Sequence, residues 1–260
     1  MPRIALEVEF DGARFAGSQM QQDLRTVQGV LTEVLSDIAG EAVVVRPASR
    51  LDAGVSAEAL PADSLLPHLP GTGAQIRNLG QAVAGRLPAD LSVRRVALVD
   101  DNWNAQYAAR HKTYRYRVTV RGTKPVLDTR CWWVKRIDHP ELLQTLGDQL
   151  LGTKDLRRFA NLRHDGSDDD ERVREITVAR WQPVGDDWVL HIGGTGFLYK
   201  QIRGFVGAMV HVGQGRRSPA DFTALVAGDT TVRRLGNIAP PEGLMLERVT
   251  YDPEPAWITV

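Results

Sequence analysis

The chain has 260 residues and no net formal charge, because 32 lysines and arginines balance 32 aspartates and glutamates. Its hydrophobic content of 43% and charged content of 25% are those of a globular protein, with room for one large domain or two smaller ones. One cysteine, Cys131, excludes a disulfide framework and a cysteine-rich zinc site. Since no apolar run could cross a bilayer and no signal peptide is recognisable, we expect a cytoplasmic protein.

The first part of the chain alternates predicted strands and helices. The apolar patterns predict strands at residues 4–10, 42–45 and 91–99 and helices at 27–38 and 74–84. Thr26 is the expected cap of the first helix and Gly40 its stop. The proline-rich residues 60–72 are predicted as a loop or an irregular edge. Acidic and amide residues at 100–102 break the pattern, so we place a domain boundary near residue 102.

The second part follows the same mixed pattern. Strands are predicted at 114–120, 176–181, 187–192 and 243–251, and helices at 140–151, 197–212 and 219–226. Residues 165–171 form an acidic loop without the glycine and glutamate placement of a calcium-binding EF-hand, so we interpret it as solvated. We expect an α+β fold with an N-terminal α/β subdomain at 1–102 and a C-terminal one at 103–260.

Charge is segregated along the chain although its total is zero. Between residues 105 and 136 the lysines and arginines are opposed in sequence only by Asp128. A local site for a polyanion therefore remains possible, and a solvated charged face is the alternative.

A short segment after the predicted strand at 42–45 carries a charged pair among small residues. Arg50 and Asp52 stand two positions apart, followed by Ala53 and Gly54. In an extended segment the two charged side chains point the same way, and small neighbours let a ligand approach the backbone. An ordinary turn with a capping aspartate is the alternative on these residues alone.

Three separated segments resemble the tRNA pseudouridine synthase A family. These are Arg50-Leu51-Asp52-Ala53-Gly54-Val55-Ser56-Ala57, Lys112-Thr113-Tyr114-Arg115-Tyr116, and the segment 196–207 with Arg203 before Gly204. Segments at 10–12, 27–31 and 239–244 add to the likeness in the same order. The resemblance therefore extends over nearly the whole chain.

The resemblance implies both a fold and an activity. The fold is two α/β subdomains forming one extended, largely antiparallel sheet, with helices on one side and an RNA-binding cleft. The activity is isomerisation of uridine to pseudouridine in the anticodon stem-loop of tRNA, at nucleotide positions 38–40, with neither cofactor nor metal. The partners it implies are tRNA and a second copy of the chain in a homodimer.

The resemblance also implies a catalytic set, which the chemistry supports. Asp52 could attack the anomeric carbon or remove a sugar proton, and Arg203 would supply the cation that keeps it ionised. Tyr114 could stack on the uracil and receive the C5 proton.

Further basic residues are expected to contact RNA. Arg50 would fill the space left by a flipped uridine, with a phosphate contact or an ion pair to Asp52 as alternatives. Arg110, Lys112 and Lys200 would bind the RNA backbone.

Four positions depart from the family pattern. Leu51 replaces a threonine, Ser56 a histidine, Ser18 a tryptophan and Gln106 an arginine. Since the catalytic set is intact, we expect catalysis to be kept, with altered support around the site and altered RNA contacts. The alternatives are a synthase with another RNA target and an RNA-binding relative without activity.

Overall fold

The computed structural model describes residues 2–67, 73–161, 173–232 and 237–260. The strands are β1 (Arg3–Phe10), β2 (Val45–Pro47), β3 (Ser56–Leu65), β4 (Leu91–Val99), β5 (Ala109–Val120), β6 (Trp132–Val134), β7 (Gly152–Asp155), β8 (Val173–Val184), β9 (Asp187–Gly194), β10 (Leu244–Tyr251) and β11 (Ile258–Thr259). The helices are α1 (Val27–Ala39), α2 (Gly73–Ala84), α3 (Leu142–Asp148), α4 (Gln201–Gly213) and α5 (Pro219–Val226). No helix in these ranges is both long and apolar enough to cross a membrane.

The chain packs as two compact units. The first contains Met1–Lys112 and Met245–Val260, and the second contains Thr113–Leu244. The sequence analysis placed its boundary near residue 102 and gave the C-terminal segment to the second subdomain. The units differ from those limits because β10 and β11 pair with strands of the first unit.

The sheet of the first unit runs in the order β11–β4–β1–β3–β10, with β2 also paired to β3. Its pairings are antiparallel except for the short parallel pairing of β10 with β3. The helices α1 and α2 contact each other, and they pack on β2 and β4, respectively. Thr26 caps α1 through the N–H of Gly29, and Gly40 ends it in the left-handed conformation, as predicted.

The second unit has strands in the order β5–β9–β8–β7, with β6 parallel to β5. The strands β8 and β9 form the predicted hairpin, and α3 packs on β8 and against α4. Ser218 and Asp221 form a capping box that starts α5 at Pro219, where the sequence placed it. The fold class, α+β with largely antiparallel pairing, is confirmed.

One sequence prediction is wrong in the centre of the first sheet. Residues 60–65, predicted as loop or irregular edge, lie in β3 between β1 and its other neighbours. The carbonyl of Pro61 still accepts from the N–H of Ala48, and the buried carboxylate of Asp63 pairs with Arg3. Proline and aspartate usually argue against a central strand, but here the carbonyl of Pro61 stays hydrogen-bonded and the charge of Asp63 is paired. Residues 68–72 lie outside the described ranges.

Smaller differences concern element limits. The strand expected at 42–45 lies at Val45–Pro47, α3 is shorter than its apolar pattern, and α4 begins at Gln201 rather than at residue 197. The short strands β6, β7 and β11 were not predicted. The acidic segment 165–171 lies outside the described residues.

Candidate active site

The predicted catalytic segment of the first unit, called here the Asp loop (residues 50–55), is extended and then turns. Leu51 is buried, Arg50 is exposed and Asp52 is partly exposed. This alternation agrees with the expectation that the two charged side chains leave the same side of the backbone. The N–H of Val55 donates to the carbonyl of Asp52 at 3.1 Å, and Gly54 adopts φ +82°. Glycine is suited to that left-handed backbone, which closes the turn behind the carboxylate.

A buried serine braces the first half of the Asp loop. The hydroxyl of Ser18 donates to the carbonyl of Ser49 at 2.9 Å and accepts from the N–H of Leu51 at 2.7 Å. Gly17 precedes it with φ +103°, and a Cβ there would lie 2.6 Å from the carbonyl oxygen of Leu51. Only glycine permits this approach, so the segment 17–18 and the Asp loop form one packed structure.

The second half of the Asp loop rests on the end of β1. The N–H of Gly12 donates to the hydroxyl of Ser56 at 3.0 Å. A Cβ on Gly12 would lie 2.2 Å from the carbonyl oxygen of Val55. The turn at residues 11–12 is therefore in direct backbone contact with the segment that follows Asp52. This explains why a glycine is needed at a site far from the loop in sequence.

Lys112 lies at the base of the same loop. Its ammonium donates to the carbonyl of Ala48 at 2.9 Å, whereas Arg110, on the same strand, is exposed. The expectation that both residues contact RNA stays a prediction. In this structure the charge of Lys112 also fixes the backbone that enters the Asp loop, as a charge-assisted hydrogen bond can.

In the second unit Tyr114 is 5% exposed and its ring is held by an aromatic neighbour. The rings of Tyr114 and Phe197 meet edge to face, with centroids 5.3 Å apart and planes at 86°. This geometry is favourable for aromatic pairs and fixes the orientation of the phenol. Phe197 belongs to the third segment of the family resemblance, but its role as a partner of Tyr114 was not predicted.

Arg203 is hydrogen-bonded to the segment that begins at residue 237. Its Nε donates to the carbonyl of Ala239 at 2.7 Å, and the N–H of Ala239 donates to the carbonyl of Arg203 at 3.0 Å. The side chain is half-buried. An arginine on this otherwise apolar helix is therefore held by the backbone of the neighbouring segment.

Glycines on α4 allow the close packing that positions Arg203. A Cβ on Gly204 would lie 1.9 Å from the carbonyl oxygen of Phe159, and one on Gly207 would lie 2.4 Å from that of Asn237. Both contacts are with backbone, which cannot move aside as a side chain can. The pattern Arg-Gly-x-x-Gly therefore reflects a helix pressed against two chain segments.

Two residues near Arg203, Tyr116 and Lys200, have defined contacts. The hydroxyl of Tyr116 donates to the carbonyl of Pro240 at 2.7 Å, and burial raises the pKa of this phenol while the charge of Arg203 opposes that effect. Lys200 precedes α4 with φ +59°, and its Nζ lies 4.7 Å from the ring centre of Tyr199. Lys200 is thus at the start of the helix, whereas the sequence placed it within the helix.

The basic stretch of residues 110–136 is neutralised more than its sequence indicated. Arg117 pairs with Asp128 at 2.6 Å and lies 3.3 Å from Asp187, while Arg121 approaches Asp186 at 4.0 Å. The hydrogen bond from Arg117 lowers the pKa of Asp128 to about 2. In the folded chain, Asp186 and Asp187 of the β8–β9 turn lie near this basic stretch, although they are far from it in sequence. The stretch therefore offers less free positive charge than expected.

Known proteins resemble this chain over nearly its full length. A family model described as tRNA pseudouridine synthase matches residues 148–252, which include Lys200 and Arg203. The tRNA pseudouridine synthase A of Mesorhizobium japonicum is 33% identical over 254 residues, covering 96% of this chain and 100% of that protein. The protein of the same name from Geobacillus kaustophilus is 34% identical over 257 residues, covering 97% and 95%. The chain belongs to the tRNA pseudouridine synthase A family. The resemblance seen in the sequence is confirmed.

The departures from the family pattern can now be located. Ser18 and Leu51 contact each other, and Ser56 supplies the hydroxyl that receives the N–H of Gly12. Gln106 is exposed. All four altered positions lie in the first unit, and three of them touch the Asp loop or its immediate support.

The residues that position the site are harder to recognise in the sequence than those proposed to carry out the chemistry. Lys112 and Ser18 act through hydrogen bonds to residues far away in sequence, which no local pattern reveals. A signal existed for Gly12 and Gly204, because both belong to segments of the family resemblance, whereas Gly17 lies in none of them. The described residues contain no group of three or more histidine, cysteine or acidic side chains that could hold a metal ion.

Proposed function

We propose that the protein isomerises uridine to pseudouridine in the anticodon stem-loop of tRNA. The observation that carries this proposal is the similarity over 96–97% of the chain to proteins named tRNA pseudouridine synthase A. The reaction cleaves the N1–C1′ bond, turns the base and joins C5 to C1′. The C5 proton leaves and N1 gains one, so atoms balance without an added reactant.

Asp52 is the group we propose to act at the sugar. A carboxylate can form a bond to C1′ as N1 departs, or it can remove a sugar proton, and both uses are chemically established for carboxylates. Its partly exposed position on a loop braced by Ser18 supports the proposal, because the group is reachable while its backbone is fixed.

Tyr114 and Arg203 are proposed to act on the same nucleotide. The phenol would stack on the uracil and take part in the transfer of the C5 proton, a role for which the edge-to-face contact with Phe197 orients it. The Nε of Arg203 already donates to the carbonyl of Ala239, and this bond fixes the direction of the guanidinium. The terminal nitrogens of the guanidinium would then bind the anionic site.

The supporting partners follow from the same proposal. Arg50 would occupy the space of the flipped uridine, and Arg110, Lys112 and Lys200 would contact the phosphate backbone. We propose a homodimer that works in the cytoplasm, where its tRNA substrate is found, and sedimentation analysis of the purified protein tests the dimer.

Tritium release from tRNA that carries C5-labelled uridine tests the activity. Wild-type protein should release tritium without any added cofactor, and Asp52→Asn should release none. Asp37→Asn is the matched control, because that carboxylate lies on α1 and is 73% exposed. Release by Asp52→Asn at the wild-type rate would contradict the assigned role of Asp52.

Chemical mapping of pseudouridines in the treated tRNA tests the target. Modification within nucleotides 38–40 supports the anticodon assignment, and modification elsewhere would identify a different RNA target. Tight tRNA binding without any tritium release would instead support the RNA-binding relative.

A further inference from the structure

A pocket of about 340 Å³ lies beside the Asp loop in the first unit. Polar, basic and aromatic side chains line it, among them Gln19, Arg46, Arg50, Gln106 and Tyr107. Asp52 is absent from this lining. The volume falls at the lower end of pockets that hold small ligands, and the lining has few apolar groups. The pocket therefore shares Arg50 with the Asp loop but does not include the carboxylate of Asp52.

One wall of the pocket is fixed from behind by buried groups. The N–H of Ala105 donates to the carboxylate of Asp63 at 2.9 Å, and its carbonyl accepts from the hydroxyl of Tyr251 at 2.9 Å. The side-chain oxygen of Asn104 accepts from the N–H groups of Gln106 and Tyr107, at 2.9 and 3.0 Å. The backbone is thus held at four points, whereas the side chain of Tyr107 is left 81% exposed.

The opposite wall is equally anchored. The amide oxygen of Gln28 accepts from the N–H of Met20 at 2.8 Å, and its amide nitrogen donates to the carbonyl of Val45 at 2.7 Å. Those bonds hold the segment 18–20 against the start of β2, which carries Arg46. A preorganised pocket loses little entropy when a ligand binds.

The exposed groups on these walls are those that recognise a nucleotide. Within the described ranges, the guanidinium groups of Arg46 and Arg50 have no ion pair or hydrogen bond, so both can receive a phosphate. An exposed tyrosine ring is a platform for a base, and amide side chains can bond to a base edge.

We propose that this pocket binds one unpaired nucleotide of the RNA, separate from the uridine that reacts. Its base stacks on Tyr107 and meets the amides of Gln19 and Gln106, and its phosphate meets Arg46. The nucleotide is single-stranded, because a base inside a duplex exposes neither its face nor its pairing edge. The proposal rests on the proposed function, since it assumes that the substrate is RNA.

Two of the departures from the family pattern lie in this lining. Gln106 stands where the family has an arginine, and Ser18 where it has a tryptophan. An amide both donates and accepts, whereas a guanidinium only donates, so the exchange changes which base edge can pair with position 106. The pocket therefore gives this chain its own preference for the base at that site.

The test compares catalysis and binding in Tyr107→Ala, with Leu98→Ala as a control at another exposed apolar position of the first unit. Tritium release gives kcat and KM on tRNA. Fluorescence anisotropy gives Kd for a ten-nucleotide single-stranded RNA and for the same sequence as a duplex. Loss of one stacked base should raise KM and the single-strand Kd about tenfold. The duplex Kd and kcat should change less than twofold, and Leu98→Ala should match the wild type.

A second variant tests base preference without touching the fold. Gln106→Arg should alter the ranking of four single-stranded RNAs that differ only in one central base. Arg77→Gln, at an exposed position on α2, should keep the wild-type ranking. An active wild type whose KM and Kd values are unchanged by Tyr107→Ala would overturn the pocket proposal alone. A wild type that releases no tritium would overturn the proposed function, and the two Kd values would still decide the pocket.

Discussion

Ser18 and Leu51 are joined by two hydrogen bonds that run in opposite directions. The N–H of Ser18 donates to the carbonyl of Leu51 at 3.0 Å, and the N–H of Leu51 donates to the hydroxyl of Ser18 at 2.7 Å. Both residues depart from the family pattern, and they meet directly before Asp52. A change at one position is therefore physically coupled to the other.

Removing the hydroxyl of Ser18 should weaken both the fold and catalysis. Ser18→Ala leaves the buried N–H of Leu51 without its acceptor, which costs roughly 1–3 kcal/mol of the free energy of unfolding. The freed loop should also lower kcat more than it raises KM, because Asp52 loses its fixed position. Denaturant unfolding and tritium release measure these effects, with exposed Ser92→Ala as control. Equal stability of the two variants would contradict the bracing role.

Lys112 and Arg110 are both proposed to contact RNA, but only Lys112 should also stabilise the fold. Lys112→Met removes the bond to the carbonyl of Ala48 and should lower the free energy of unfolding by roughly 1–2 kcal/mol. Arg110→Gln, at an exposed position, should leave stability unchanged and reduce the salt dependence of tRNA binding. Binding titrations at several salt concentrations check this. Unchanged stability of Lys112→Met would contradict its structural role, and an unchanged salt dependence in Arg110→Gln would contradict its RNA contact.

Gly204→Ala should displace α4 from its neighbour. Its Cβ would lie 1.9 Å from the carbonyl oxygen of Phe159, so we expect a loss of about 3 kcal/mol in the free energy of unfolding. In Gly196→Ala the nearest atom is the flexible side chain of Arg174 at 3.4 Å, and the change should stay within about 0.5 kcal/mol. Thermal and denaturant unfolding of both variants check the contrast. Similar values for the two would mean that the helix can shift at little cost.

Acid should weaken the ion pair between Arg117 and Asp128. The pKa of Asp128 is about 2, below its ordinary value of 3.8, chiefly because Arg117 donates a hydrogen bond to it. Its stabilising contribution is therefore complete above pH 3.8 and is lost as the pH falls toward 2. The contribution is small, since the Asp128 side chain is 42% exposed and screened by solvent.

Carbon NMR titration of the Asp128 carboxyl measures this directly. In Arg117→Gln the pKa should rise, although Arg130 still donates to the same carboxylate and keeps part of the shift. A wild-type midpoint at the ordinary value would show that the pair does not form in solution.

The elements that local chemistry determines were predictable from the sequence. The strand β4 and the helix α5 fall at the predicted residues, because alternating apolar residues define one and a capping box with proline starts the other. The strand β3 was not predicted, because the burial of its aspartate depends on a residue that is distant in sequence. Asp63 is tolerated in the core because Arg3, from the neighbouring strand, pairs with its carboxylate.

The site shows the same division between local and distant causes. Asp52 could be singled out because a carboxylate, an arginine and a glycine stand together in the sequence. The hydrogen bonds from Ser18 and Lys112 that hold its loop connect residues 33 and 64 positions apart, and only the folded chain brings them together. The pocket proposed to bind a base was likewise not recognisable in the sequence, because Gln19 and Tyr107 belong to different segments.

The parallel pairing of Met245 with Ser56 sets an order for synthesis of the protein. The residues that flank the Asp loop are synthesised before the second unit, Thr113–Leu244, and the strand that completes their sheet is synthesised after it. The newborn protein therefore acquires the finished support of Asp52 only once the second unit has been made.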